Sequence, residues 1–357
     1  MKLNVDLFKK ILAVCLFLFF VVGVYLGGDL FKNFKYIKDP QVLNLLIYNN
    51  FISPETIREI EADNNLKINV DFAESLFDLE GKLKDPKSKY DLISIYSFQA
   101  LQLDEEARLQ PINWSMIKNQ KNISPDFMSL GGDEIAKKLL PLSWGVNGFA
   151  YDPQIFSEKL DSWDAVFKTL ETDDRILLYD IPVSLYQVGL LKIQMGQKQQ
   201  KNPAPDQNLE VLLKNLLKVA SLYHFGGQKI QDMKPYSLVE LSLVSKKDPQ
   251  LESFKFVIPK EGGLFWTLNL AEPRFAPHPK EIAIFLNAIL EKKAALSILK
   301  SSHLSTTSQI LNGEEIDANL KAQYIREIPL TSLKFQMSFP DASLFSQLIN
   351  QSINDVQ

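Results

Sequence analysis

Cysteine is nearly absent from this chain. The single copy, Cys15, lies inside an apolar N-terminal stretch, so the remainder has none. Disulfides, thiolate nucleophiles and cysteine-based zinc sites are thereby excluded. Histidine is scarce as well: His224, His278 and His303 stand far apart, and each reads most simply as a cap or an exposed side chain. No metal site is expected. The chain also lacks a basic excess. Its net charge is -4 with no basic stripe, which argues against nucleic acid as a partner. No His-Glu-x-x-His, Gly-x-Ser-x-Gly, P-loop or Gly-x-Gly-x-x-Gly pattern occurs. Asp173-Asp174 and Asp104-Glu105-Glu106 read as solvated charges. Neither an enzymatic role nor a cofactor is expected.

What is present is an ordinary globular composition, 46% hydrophobic and 23% charged over 357 residues. That length exceeds one compact core and suits one or two domains. Lys9-Lys10 precede an apolar run over residues 11–28. Its length lies between a signal peptide and a membrane span, so residues 1–28 are read as either. Tyr25 and Leu26 are poor residues before a cleavage site, which ranks an uncleaved anchor slightly ahead. Lipidation at Cys15 ranks third, because that residue stands within the run rather than after it. Both leading readings export the rest of the chain. The expected location is periplasmic or extracytoplasmic, with residues 11–28 able to hold the protein at the inner membrane.

Residues 29–42 read as a spacer. VLNLLIYNN then reads as a buried strand, and Ser53-Pro54-Glu55 as a helix start: serine caps, proline fits the first turn, glutamate suits the dipole. LKINVDF alternates as a strand, ESLFDLEGKLK is helical and KYDLISIY is a third strand. Strands alternating with helices predict a parallel α/β sheet. Further on, the pattern predicts strands at LPLSWGVNGFAYD, RILLYD, SLVELSLVS and FKFVIPK. It predicts helices at DSWDAVFKTL, SLYQVGLLKIQ and LEVLLKNLLKVASLY, and one long helix after Pro279.

The ordered set LLIYNN-FISPETI, LKINVDFAESLFDLEGKLK, YDLISIYSF, LPLSWGVNGFAYD, DSWDAVF, RILLYD and PKEGGLFWTLNLAEP resembles the extracellular solute-binding proteins of ABC importers, in particular the spermidine/putrescine-binding family. The resemblance covers roughly residues 43–310. It implies an α/β, two-lobed, type II periplasmic-binding-protein-like fold with a central cleft, preceded here by the N-terminal apolar helix. Lobe 1 would comprise 43–143 and 264–310, and lobe 2 would comprise 144–263. Residues 311–357 would form a helical segment packing across the lobes. Gly262-Gly263 would mark the return crossing. An isolated tryptophan is most often core; the resemblance instead turns Trp266 toward the cleft.

The ligand-binding residues implied are Asn49, Asn50, Phe51, Tyr96, Phe98, Trp144, Asp180, Ser184, Trp266 and Asn269. The chain departs from the family at the carboxylates that hold a polyamine. Ile181 and Ser184 stand where acidic residues are expected, and Leu268 where an aspartate is expected. A multiply charged amine would have few partners there and would be costly to desolvate. The expected ligand is therefore a small polar solute other than a polyamine, delivered by a monomeric protein to an ABC permease in the inner membrane. The alternative is a cleft that has lost its ligand, leaving a membrane-tethered scaffold or partner-binding module.

Overall fold

The computed structural model describes residues 41–49, 51–74, 76–85, 89–154, 156, 160–170, 176–179, 221–223, 238–242, 255–260, 264–302, 304–311 and 334–335. All of these except Gln41 belong to one compact unit, Val42–Gln357. Strand β1 (Gln41–Tyr48) buries Leu43, Leu45, Leu46 and Ile47 completely, as a strand covered on both faces must. Helix α1 (Pro54–Asn64) begins as its sequence predicts. The Ser53 hydroxyl accepts from Thr56 N at 3.2 Å, and Pro54 occupies the first turn. It ends at Asn65 in the left-handed region, φ 51°, whose N–H returns to Glu61 O. Ile57 and Ile60 face inward. Strand β2 (Leu66–Ala73), helix α2 (Leu76–Lys84), strand β3 (Leu92–Tyr96) and helix α3 (Ser97–Glu105) continue the alternation. A short strand β4 (Leu109–Gln110) and two single-turn helices, α4 (Pro125–Met128) and α5 (Asp133–Ala136), complete this stretch.

Two long strands organise the rest of the sheet. Strand β5 (Leu139–Tyr151) and strand β10 (Leu264–Pro273) pair antiparallel over most of their lengths. Between them lie helix α6 (Trp163–Leu170) and strands β6 (Ile176–Tyr179), β7 (Ser221–Tyr223), β8 (Leu238–Ser242) and β9 (Lys255–Val257). The sheet order is β2-β1-β3-β10-β5-β8-β6-β7. β1 and β3 run parallel, and β10 closes that side antiparallel to β3. β6, β7 and β8 run parallel, and β5 closes the other side antiparallel to β8. The two halves of the sheet are thus built alike and meet at the β5–β10 seam. The main core fills the first half, where Phe285, Leu286 and Ile289 of helix α7 (Pro279–Ile289) are buried with the β1 leucines.

Three expectations need correction or restriction. The helical pattern of LEVLLKNLLKVASLY runs through Tyr223, yet Ser221–Tyr223 is a strand paired parallel to Leu177–Tyr179. The long helix after Pro279 is two helices, Pro279–Ile289 and Lys292–Ser302 (α8). Leu290 closes the first with φ -86° and ψ 0°, and its freed carbonyl accepts from Asn122 Nδ2 at 3.0 Å. Of the segment 311–357, expected to be helical, the described residues are Leu311 and the strand Lys334–Phe335, which lies parallel to Leu264–Phe265. The N-terminal apolar segment, Gly262-Gly263, His224 and His303 fall outside the described residues. Among those described, no helix is long and apolar enough to cross a membrane.

His278 stands at the N-terminus of α7 but makes no side-chain cap bond there. Its ring turns to Asp91, a wholly buried carboxylate at the foot of β3. Asp91 Oδ2 accepts from Asn44 N at 2.7 Å, and Oδ1 accepts from His278 N at 3.0 Å. One carboxylate therefore ties β1, β3 and α7 together. An Asp91→Ala substitution strips two backbone amides of their acceptor. Each buried orphan costs about 1–3 kcal/mol, so urea denaturation is expected to show a loss of about 3 kcal/mol; a loss below about 1 kcal/mol would show that water replaces the carboxylate.

Candidate functional site

In open α/β sheets, ligands lie outside the carboxyl ends of the strands, where strand order reverses. Here the carboxyl ends of β1 and β3 carry Tyr48 and Tyr96. At Tyr96 the strand passes directly into α3, so Tyr96 holds extended angles, φ -75° and ψ 150°, and Phe98 falls in the first helical turn. The Tyr96 ring lies 5.0 Å from the Tyr48 ring, stacks on Phe98 at 5.1 Å with an interplanar angle of 5°, and meets Trp266 edge-on at 5.2 Å. Trp266 comes from β10, opposite Gly145 on β5. The rings thus join the end of the parallel strands to the seam.

Glycine at position 145 is what lets Trp266 lie there. A Cβ built on Gly145 would stand 2.4 Å from indole Cζ2 and 2.6 Å from Cη2. No side chain other than hydrogen fits beneath that ring. Burial raises the Tyr96 hydroxyl pKa, and the Tyr48 hydroxyl is raised well above its usual value, first by burial and then by neighbouring Tyr96. Both phenols stay neutral, so the cluster consists of packed rings and neutral hydroxyls and carries no charge.

The structure separates the residues that the resemblance groups. Tyr96, Phe98 and Trp266 come together. Trp144 sits opposite Thr267, one residue along from the Trp266–Gly145 pair, and alternation along a strand turns it to the other face. There it packs against Phe127 at 5.9 Å and Phe265 at 6.5 Å, with Nε1 donating to Thr306 O. Asn269 is buried, its Nδ2 donating to Ile95 O and Thr267 O. Phe51 is 1% exposed, a core ring. Asn49 is exposed, and its Nδ2 donates to both Glu74 oxygens at 3.2 Å. Asn50, Asp180 and Ser184 lie outside the described residues.

Sequence reasoning missed Tyr48, Glu74, Gly145 and Gln99. Gln99 had a readable signal: it stands three residues after the end of a strand, the N3 position of a capping box. Its Oε1 accepts from Tyr96 N at 2.9 Å and from the Tyr48 hydroxyl at 3.0 Å. Glu74 places a carboxylate at the carboxyl end of β2. Among the described residues, no group of three or more His, Cys, Asp or Glu side chains is arranged to hold a metal ion.

This architecture, two half-sheets each closed by an antiparallel strand from the other, is that of the type II substrate-binding proteins of ABC transporters. The structure aligns with the PotD substrate-binding protein of Streptococcus pneumoniae at a TM-score of 0.69 and 21% identity, covering 89% of this chain and 100% of that one. The sequence is 24% identical over 317 residues to the putrescine/agmatine-binding protein of Pseudomonas aeruginosa, spanning 80% of this chain and 83% of that protein. It is 23% identical over 343 residues to the putrescine-binding periplasmic protein PotF of Escherichia coli, spanning 89% and 88%. No family model matches the chain. The homologues over most of its length are thus polyamine-binding periplasmic proteins, in agreement with the resemblance found in the sequence. They are transport proteins and not enzymes. Their names give no support to the expectation that polyamines are excluded.

Gly145→Ala forces the indole off the strand. Overpacking of this kind costs about 1–3 kcal/mol. Thermal unfolding should drop accordingly, with a red shift of tryptophan emission as Trp266, 5% exposed in the native chain, gains water. Unchanged emission would show that the seam adjusts instead.

Proposed function

We propose that this chain is the solute-binding component of an ABC importer. It is exported, is held at the membrane by residues 11–28, works as a monomer and hands its solute to a permease. Two lobes, residues 43–143 with 264–310 and residues 144–263, close on the solute by bending at β5 and β10. The observation that carries the reading is the ring cluster of Tyr48, Tyr96, Phe98 and Trp266, set at the carboxyl ends of β1 and β3 against the strands that join the sheet halves. The names of the relatives, periplasmic binding proteins, support it, as does the ABC transporter substrate-binding protein among the similar structures.

The solute is small and polar and lies against these rings. Leu268 is 2% exposed, so no carboxylate meets a ligand at that position, which favours a solute with fewer charges than a polyamine. A polyamine is the competing ligand. The names of the relatives favour it, as does Glu74, exposed at the end of β2. Ring faces serve either one, since a cation over an aromatic ring gains about 0.5–2 kcal/mol. A scaffold role is favoured by one observation only: Tyr96 is flanked by Tyr48, Phe98 and Trp266, so the rings fill one another.

Thermal unfolding against a panel of polar metabolites distinguishes these readings. A solute at 100 times its dissociation constant stabilises by about 2.7 kcal/mol. The expected result is a clear shift with one neutral or singly charged solute and none with putrescine, spermidine or agmatine. A shift with any of those three makes the chain a polyamine binder; no shift across the panel leaves the scaffold reading.

A further inference from the structure

Behind the ring cluster lies a chamber of about 10 Å³, lined by Glu80, Lys84, Gln99, Gln102, Glu106 and Arg108 among others. That is room for about one water. Gln99, 8% exposed, forms the wall between chamber and rings. Its Oε1 accepts from two donors, the Tyr48 hydroxyl and Tyr96 N. The backbone N–H fixes the amide: flipped, its NH₂ would face Tyr96 N, which can only donate. Nε2 is therefore the end turned away from those two donors, and it has no partner among the described residues. A buried amide nitrogen in that position calls for an acceptor.

The charged groups around the chamber are already matched. Lys84 Nζ faces Glu80 Oε2 at 3.8 Å, Arg108 faces Glu106 at 3.4 Å, and Gln102 Nε2 donates to Glu106 Oε1 at 3.1 Å. An anion would meet two carboxylates, and a cation would meet the donor of Gln99. A neutral molecule that both accepts and donates suits every wall. Burial raises the Glu80 carboxyl pKa, with Lys84 opposing and Glu106 adding to the shift. A donor to that carboxylate offsets part of its burial.

We propose that the chamber binds one ordered water, which accepts from Gln99 Nε2 and donates to Glu80. Gln99, anchored at this end, is then the positioning residue for the Tyr48–Tyr96 ring pair. Glu80 thereby supports the ring wall from behind, through water and one amide, without touching a ligand. The water and its two partners are independent of which solute the rings receive.

A crystal structure of the chain that resolves waters tests the first half. Density within hydrogen-bonding distance of Gln99 Nε2 and the Glu80 carboxylate is expected; a chamber filled by a side chain, or Nε2 bonded elsewhere, overturns the proposal. Substitutions test the second half. In mildly alkaline buffer, Gln99→Glu is expected to lower the thermal midpoint by several degrees, because it sets a third carboxylate in the chamber. Glu80→Gln in the same chain is expected to restore most of that loss by exchanging donor and acceptor across the water; strictly additive losses overturn the coupling. Gln99→Leu is expected to weaken the near-ultraviolet circular dichroism of the rings while leaving the far-ultraviolet spectrum intact. An unchanged near-ultraviolet band removes the positioning role.

Discussion

The contact between the Trp266 indole and the bare backbone of Gly145 is the constraint on which the rest depends. It occurs where β10 and β5 pair and the two halves of the sheet share strands. A side chain at 145 would lift the ring and break its edge-on contact with Tyr96. Tyr96 in turn ends β3 and starts α3, so the same contact links the seam to the parallel strands. The ring cluster and the joint between the sheet halves are therefore one structure.

Polar groups around the rings hold them in place and carry little charge. Ser97 Oγ accepts from Thr267 N at 3.2 Å, joining the first turn of α3 to β10. Ser94 Oγ accepts from Tyr48 N at 2.8 Å, and Gln99 receives both tyrosines. Together these bonds fix the backbone of β1 and β10 and the Tyr48 hydroxyl beside the rings. The exposed carboxylate at the strand ends, Glu74, is bonded to Asn49 and lies at the end of β2, the outermost strand of this half.

Much of the fold is legible in the sequence because its signals are local. The leucines of β1 announce a strand buried on both faces, and Ser53-Pro54-Glu55 states the start of α1 in three residues. The break between α7 and α8 is not legible, since the amide that takes the Leu290 carbonyl belongs to Asn122, far away in sequence. Tyr223 reads as the end of an amphipathic helix because Leu213, Leu216, Leu217 and Ala220 recur at helical spacing; tertiary pairing with β6 makes its last three residues a strand. At the site, resemblance groups Trp144 with Trp266, but adjacent registers on a strand pair face opposite ways. Only the pairing of Trp144 with Thr267 reveals this. Gln99 escapes notice because its task is to hold other side chains, and a motif of ligand contacts does not name such residues.

The central claim is that these rings are the wall against which a solute binds. A chain keeping Trp266 as its sole tryptophan, titrated with the solute that stabilises the protein, tests it most directly. A saturable change in emission, with the midpoint that calorimetry gives for the same solute, is the predicted result. Calorimetric binding with unchanged Trp266 emission would place the solute elsewhere and contradict the account.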